Sequence, residues 1–188
     1  MKLRWKLHRK FAGGFNCVTI KPTMACNYNC PYCCAAITRG YKPKFDKQFT
    51  PDEWIEKLKI FGKINVVSIS GGEPMLYPHI DELVYKLLDN GYWVRIMTNL
   101  SWNMTFVPTC KLQIIASFHP TQVAQVSFDM AFSHFSKRYN MEYRRIGVTN
   151  IKVYNTDDRL KKKSHFHPVI APDGTVYGSC VDLERGGK

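Results

Sequence analysis

Asn65-Val66-Val67-Ser68-Ile69-Ser70-Gly71-Gly72-Glu73-Pro74 reads as a buried strand that runs directly into a glycine-bearing turn. A short run of β-branched residues without strict alternation marks a strand covered on both faces. Such strands belong to parallel sheets, so helices are expected on either side of it in the chain.

Both neighbours meet that expectation. Upstream, Thr50-Pro51-Asp52-Glu53 is a helix start: a Thr cap, Pro at the first helical position, and Glu three residues after the cap. Trp54, Ile55, Leu58 and Phe61 supply the apolar stripe, and Gly62 ends it. Downstream, a helix over about Ile80 to Asp89 carries Leu83, Val84, Leu87 and Leu88 and stops at Asn90-Gly91.

The pattern repeats outward. Cys17-Val18-Thr19-Ile20-Lys21 predicts a first strand; Tyr92 to Met97 a third, running into Thr98-Asn99; Leu112 to Ser117 a fourth, ending at Phe118-His119-Pro120. A helix over about Gln122 to Arg138, a fifth strand within Tyr143 to Val153, and a hairpin around Pro172-Asp173-Gly174 complete the reading, with the turn at Asp-Gly.

Polar or glycine-rich residues recur just after the strand ends, where α/β barrels and open sheets place their sites. About six strands in 188 residues are too few for a complete eight-stranded barrel. The expected fold is α/β: a partial (β/α)6 TIM-type barrel over 17–164, preceded by a basic segment at 1–16. A short C-terminal β-hairpin and tail, 165–188, cap the barrel within the same compact domain.

The first strand delivers the chain into Cys26-Asn27-Tyr28-Asn29-Cys30-Pro31-Tyr32-Cys33. Three cysteines at this spacing aim three soft thiolates at one place, a donor set for zinc, copper(I) or an iron–sulfur cluster. Structural zinc needs four ligands, so a zinc loop would have to recruit Cys34 or a distant His. A cubane held by three thiolates keeps one iron open for chemistry. Cys17, Cys34 and Cys110 read as small buried residues.

The chain has 45% hydrophobic and 22% charged residues, seven cysteines and a net charge of +12. No apolar run reaches the ~20 residues of a membrane span, and the basic stretch Met1 to Lys10 lacks the apolar core of a secretory signal. An odd cysteine count with three in one loop points to a reduced, cytoplasmic chain with a metal site. The positive charge points to an acidic partner: nucleic acid, an acidic peptide or an acidic electron-transfer protein.

Cys26-x3-Cys30-x2-Cys33 with an aromatic before the third cysteine, followed one βα unit later by Ser70-Gly71-Gly72-Glu73-Pro74, resembles the radical S-adenosylmethionine (SAM) superfamily. The resemblance covers about Cys17 to Pro120. It implies that Cys26, Cys30 and Cys33 hold three irons of a [4Fe–4S] cluster and that the methionine end of SAM chelates the fourth. Gly71, Gly72, Glu73 and Pro74 would lie beside the SAM amine, Tyr32 near its adenine, and Ser117, Thr98 and Asn99 near its ribose or carboxylate. Reductive cleavage would give a 5′-deoxyadenosyl radical that abstracts hydrogen from substrate. His119, at a strand's C-terminal end, is the candidate catalytic residue, as a substrate contact or proton donor.

Pro168 to Cys180 resembles the hairpin that opens the auxiliary-cluster (SPASM/twitch-type) extension of peptide-modifying radical SAM enzymes. His165 and His167 stand where that extension's first cysteine is expected, so a complete second cluster is not implied. A peptide or protein substrate leads because of the Pro172-Asp173-Gly174 hairpin, and a nucleotide or nucleic acid follows on the charge, to which the Lys161-Lys162-Lys163 run contributes. A flavodoxin- or ferredoxin-like protein would donate the electron. The non-enzyme alternative is a zinc-stabilised basic module that binds nucleic acid.

Overall fold

The computed structural model describes residues 17–33, 48–62, 64–146 and 168–177. The basic segment, Cys34, the Lys161-Lys163 run, His165, His167 and Cys180 lie outside them. The elements in chain order are β1 (Cys17–Thr23), α1 (Pro51–Lys59), β2 (Val66–Gly71), α2 (Ile80–Asp89), β3 (Trp93–Thr98), β4 (Leu112–Phe118), α3 (Gln125–Ser136), β5 (Met141–Arg145), β6 (Val169–Ile170) and β7 (Val176–Tyr177).

They form one seven-stranded sheet of order β5-β4-β3-β2-β1-β6-β7. Every pairing is parallel except β6 with β7. Five consecutive parallel strands put five C-terminal ends along one rim, which is what gathers the site.

Local chemistry accounts for the helices. The Thr50 hydroxyl accepts the Glu53 N–H at 3.3 Å while Glu53 Oε2 accepts the Thr50 N–H at 2.8 Å, so the capping box of α1 is complete. Trp54, Leu58, Leu83 and Leu87 are fully buried. At ~1.5–3 kcal/mol per large apolar side chain, packing rather than propensity holds α1 and α2 on the sheet.

α3 is shorter than the Gln122 to Arg138 span that the sequence suggests. The Gln122 and Val123 N–H groups both bond the His119 carbonyl, at 2.9 and 3.2 Å, closing a separate turn. Ala124 is extended (ψ 142°), so the helix begins only at Gln125. Between β3 and β4 the described crossover has no helix: Met104 and Phe106 are buried, and both their carbonyls accept the Tyr139 hydroxyl at 3.0 Å.

The hairpin forms at the edge of the sheet beside β1. Its three-residue loop is Pro172-Asp173-Gly174, where the sequence puts the turn. The Gly174 N–H bonds the Ala171 carbonyl at 2.9 Å, and Gly174 follows at φ +81°, a left-handed position that suits glycine. β6 adds to the sheet beside β1, with Thr19 opposite Val169. Phe49 anchors it, its N–H bonding the Pro172 carbonyl at 2.8 Å and its own carbonyl accepting the Tyr77 hydroxyl at 2.6 Å.

Alternation assigns the two sheet faces. Val18, Ile20, Val67, Ile69, Val94, Ile96, Leu112, Ile114, Ala116 and Met141 share one hydrophobic core with the buried residues of the three helices. The intervening residues, among them Lys21, Ser68, Arg95, Gln113, Ser117, Glu142 and Arg144, lie on the opposite face, away from the three described helices.

Candidate active site at the strand ends

The two key loops are joined through backbone. Pro22 interrupts the β1–β2 ladder, where the register slips between Ile20 and Thr23. Pairing then resumes: the Gly72 N–H bonds the Thr23 carbonyl at 3.1 Å and the Glu73 N–H bonds the Ala25 carbonyl at 2.7 Å. A Cβ at Gly71 would fall 2.2 Å from the Thr23 oxygen, and one at Gly72 would fall 2.0 Å from the Ala25 oxygen. The glycines therefore let the end of β2 lie against the start of the cysteine loop. The close approach visible in the sequence is to protein backbone.

Glu73 is 2% exposed. Its Oε1 accepts the Thr98 hydroxyl at 2.7 Å and the Met75 N–H at 3.2 Å, and its Oε2 accepts the Asn99 N–H at 2.8 Å. Burial pushes its pKa above the ordinary carboxylate value, against the pull of those three donors. The carboxylate thus ties the end of β2 to the end of β3, and Pro74, itself buried, opens the single turn, Pro74–Leu76, that follows.

The cysteine loop is held from two further strand ends. From β3, the Asn99 Nδ2 donates to Asn27 Oδ1 at 2.8 Å, and Ser101 Oγ to the Tyr28 hydroxyl at 3.1 Å. From β4, Gln122 Oε1 accepts the Asn29 N–H at 2.9 Å, and Thr121 Oγ1 donates to the Tyr32 hydroxyl at 3.3 Å. Tyr32 is buried, with its ring parallel to that of His119 at 6.0 Å. His119 Nδ1 lies 3.4 Å from Cys30 Sγ and 3.4 Å from the Tyr32 hydroxyl. Ser117 is half-buried on the face of β4 opposite the hydrophobic core.

Cys26, Cys30 and Cys33 are thiols at one end of the sheet: Cys26 exposed, Cys33 intermediate, Cys30 buried. A Cys30–Cys33 turn is closed by the Cys33 N–H on the Cys30 carbonyl at 3.1 Å, and Cys26 Sγ accepts the Tyr28 N–H at 3.4 Å. Burial raises the pKa of both Cys26 and Cys30. Among the described residues no three His, Cys, Asp or Glu side chains converge on a single ion. A cubane would take each thiolate at a separate iron, so three thiols spread along one loop fit a cluster.

Every candidate site residue read from the sequence within the described chain comes to this one rim. Asn27, Tyr28, Ser101, Thr121 and Gln122 were not singled out. Their signal was weak: each is an ordinary loop residue whose partner lies up to 93 positions away.

A parallel sheet with a three-thiol loop and a braced carboxylate turn on adjacent strand ends defines a cysteine-centred site on a partial (β/α) barrel. The Radical SAM superfamily model matches residues 20–153. The chain belongs to that superfamily, whose members use a [4Fe–4S] cluster and SAM, and the zinc-module alternative is set aside. It is similar to an S-adenosylmethionine-dependent nucleotide dehydratase of Thermoplasmatales archaeon (strain ISO4-H5), 30% identical over 77 residues, 39% of this chain and 25% of that protein. It is also similar to a 7-carboxy-7-deazaguanine synthase of Haemophilus influenzae, 31% identical over 74 residues, 39% of this chain and 32% of that protein. The matched stretches thus span about a quarter to a third of these relatives.

The fold is that of Streptococcus suis SuiB. In its SAM-bound structure the TM-score is 0.51 at 13% identity, covering 89% of this chain and 58% of that one. With precursor peptide SuiA bound the score is again 0.51, at 17% identity, covering 87% of this chain and 42% of that one. Among the described residues no helix is long and apolar enough to cross a membrane.

Proposed function

We propose that this chain is a radical SAM enzyme in which Cys26, Cys30 and Cys33 hold a [4Fe–4S] cluster and leave one iron for SAM. The observation that carries this is the backbone union of the cysteine loop with the Gly71-Gly72-Glu73-Pro74 turn, through Gly72 to Thr23 and Glu73 to Ala25. That union gives a thiolate loop a polar wall at fixed distance, which a purely structural metal does not require. The bound cluster and SAM supply a 5′-deoxyadenosyl radical, the hydrogen-abstracting agent.

The residues divide the remaining work. Glu73 acts mainly as a brace that holds Thr98 and Asn99 in place, since its oxygens already accept three donors. The turn's backbone, with Thr98, Asn99 and Ser117, then lines the SAM pocket, and Tyr32 backs the cysteine loop. The +12 charge supports an acidic flavodoxin- or ferredoxin-like electron donor.

A peptide or protein substrate is the leading reading, supported by the fold likeness to a protein solved with a precursor peptide and by the hairpin beside β1. A nucleotide is the second reading. It is favoured by the two curated relatives above and by the cationic residues Lys21 and Arg95 on the sheet face opposite the core, where Arg144 pairs with Glu142.

Anaerobic reconstitution tests the enzyme reading. Four irons and four sulfides per chain are expected, with a cluster EPR signal that changes on adding SAM. One zinc and no sulfide would sink it. Acidic peptides and nucleoside triphosphates, each added to the reduced enzyme, separate the substrate readings: the true class raises 5′-deoxyadenosine output above the substrate-free rate.

A further inference from the structure

We infer that His119 donates a hydrogen bond from Nδ1 to the Cys30 thiolate and so raises the reduction potential of the cluster, acting on the cofactor and not on substrate. The inference rests on the cluster assignment above.

Its basis is the enclosure of the His119 ring. Tyr32 stacks on one face at an interplanar angle of 2°, and Tyr28 meets the ring edge-on at 5.8 Å. Both tyrosines belong to the cysteine loop, so the loop fixes the ring's direction. That direction puts Nδ1 3.4 Å from Sγ of Cys30, the most buried of the three cysteines at 5% exposure.

An iron-bound thiolate carries no hydrogen and can only accept. The Tyr32 hydroxyl accepts from Thr121 Oγ1 and hydrogen-bonds Cys30 as well, so its own hydrogen also serves that sulfur. A proton on Nδ1 therefore points to sulfur. Cys26 also accepts a hydrogen bond, but from the Tyr28 backbone N–H rather than from a side chain. With Tyr32, His119 is a side-chain donor aimed at Cys30.

The physical effect has a definite sign. Reduction adds negative charge that spreads onto the ligating sulfurs, and a donor to sulfur stabilises the reduced state. Losing the donor shifts the midpoint negative.

The experiment is an EPR-monitored redox titration of the reconstituted full chain without SAM, comparing wild type, His119→Phe and His119→Asn. Phe keeps a ring against Tyr32 and removes the donor; Asn restores an N–H near the position of Nδ1. The inference expects a more negative midpoint for His119→Phe and a near-wild-type midpoint for His119→Asn. It also holds if His119→Phe fails to retain four irons while His119→Asn retains them at the wild-type potential. Equal midpoints in all three proteins overturn it, as do equal shifts in both variants or cluster loss in both. A wild-type protein that forms no [4Fe–4S] cluster overturns the proposed function and this inference together. A wild-type cluster with an unmoved His119→Phe midpoint overturns only the inference.

Discussion

The carboxylate of Glu73, at the end of β2, accepts the hydroxyl hydrogen of Thr98, at the end of β3, over 2.7 Å. Neither group reaches solvent: both residues are 2% exposed. With the Asn99 and Met75 N–H groups on the same carboxylate, this contact closes the gap between two parallel strand ends on the site rim.

Removing that brace should act on stability before it acts on chemistry. Glu73→Ala leaves two N–H groups and a hydroxyl buried without their acceptor, at ~1–3 kcal/mol for each group not rescued by water. Chemical denaturation should show a loss of at least about 2 kcal/mol. SAM affinity should fall with it, because Thr98 and Asn99 lose their positions. Unchanged stability would mean that the carboxylate is dispensable to the fold.

Glu73 also predicts a pH dependence. Its folded pKa lies above the ordinary value because of burial, so the folded state binds the proton more tightly than the unfolded state. Between those two pKa values, stability falls as pH rises. Glu73→Gln removes this titration. The stability of wild type minus that of Glu73→Gln should therefore decline as pH climbs from the ordinary Glu value through the raised one. Thermal unfolding across pH 4 to 8 reads the difference, and a flat difference contradicts the shift.

The glycines of the turn give a steric prediction. Gly72→Ala puts a methyl group 2.0 Å from the Ala25 carbonyl oxygen and 2.6 Å from that of Met24, both backbone atoms that cannot step aside. The loss should be on the order of 3 kcal/mol, with iron content falling as the cysteine loop is pushed off β2. Gly91→Ala is the control. It too has positive φ (+86°) but nothing within 4 Å, so it should cost about 1 kcal/mol and leave iron content unchanged.

Much of this was legible in the sequence because it is local. The capping box at Thr50 and Glu53, the span Ile80 to Asp89, and the strand running into Gly71-Gly72 are each set by residues within one turn or one strand. What the glycines approach was not legible, since the Thr23 and Ala25 carbonyls enter through the parallel register of a strand almost fifty positions away. His119 was legible as a strand-end residue, whereas its nearness to Cys30, 89 positions earlier, depends on two strand ends meeting. The hairpin's place beside β1 was hidden for the same reason. Its Asp-Gly turn is local, but the sheet edge it joins is not.

Cysteine substitutions should divide cleanly. Alanine at Cys26, Cys30 or Cys33 should abolish the cluster, while Cys17→Ala and Cys110→Ala should keep full iron content. Cys17 Sγ lies 3.5 Å from Ser68 Oγ, on β2 and away from the loop. Cys34→Ala should keep the cluster as well. Cluster loss in Cys34→Ala equal to that in Cys30→Ala would mean four thiolates and no iron left for SAM.

The most direct measurement of the central claim is 5′-deoxyadenosine release by the reconstituted, reduced protein supplied with SAM alone. Slow formation of 5′-deoxyadenosine and methionine is expected with dithionite and also with an acidic flavodoxin. Only the flavodoxin-driven rate should fall as salt rises and screens the +12 charge. An intact four-iron cluster and a strong reductant that together yield no 5′-deoxyadenosine would contradict the account.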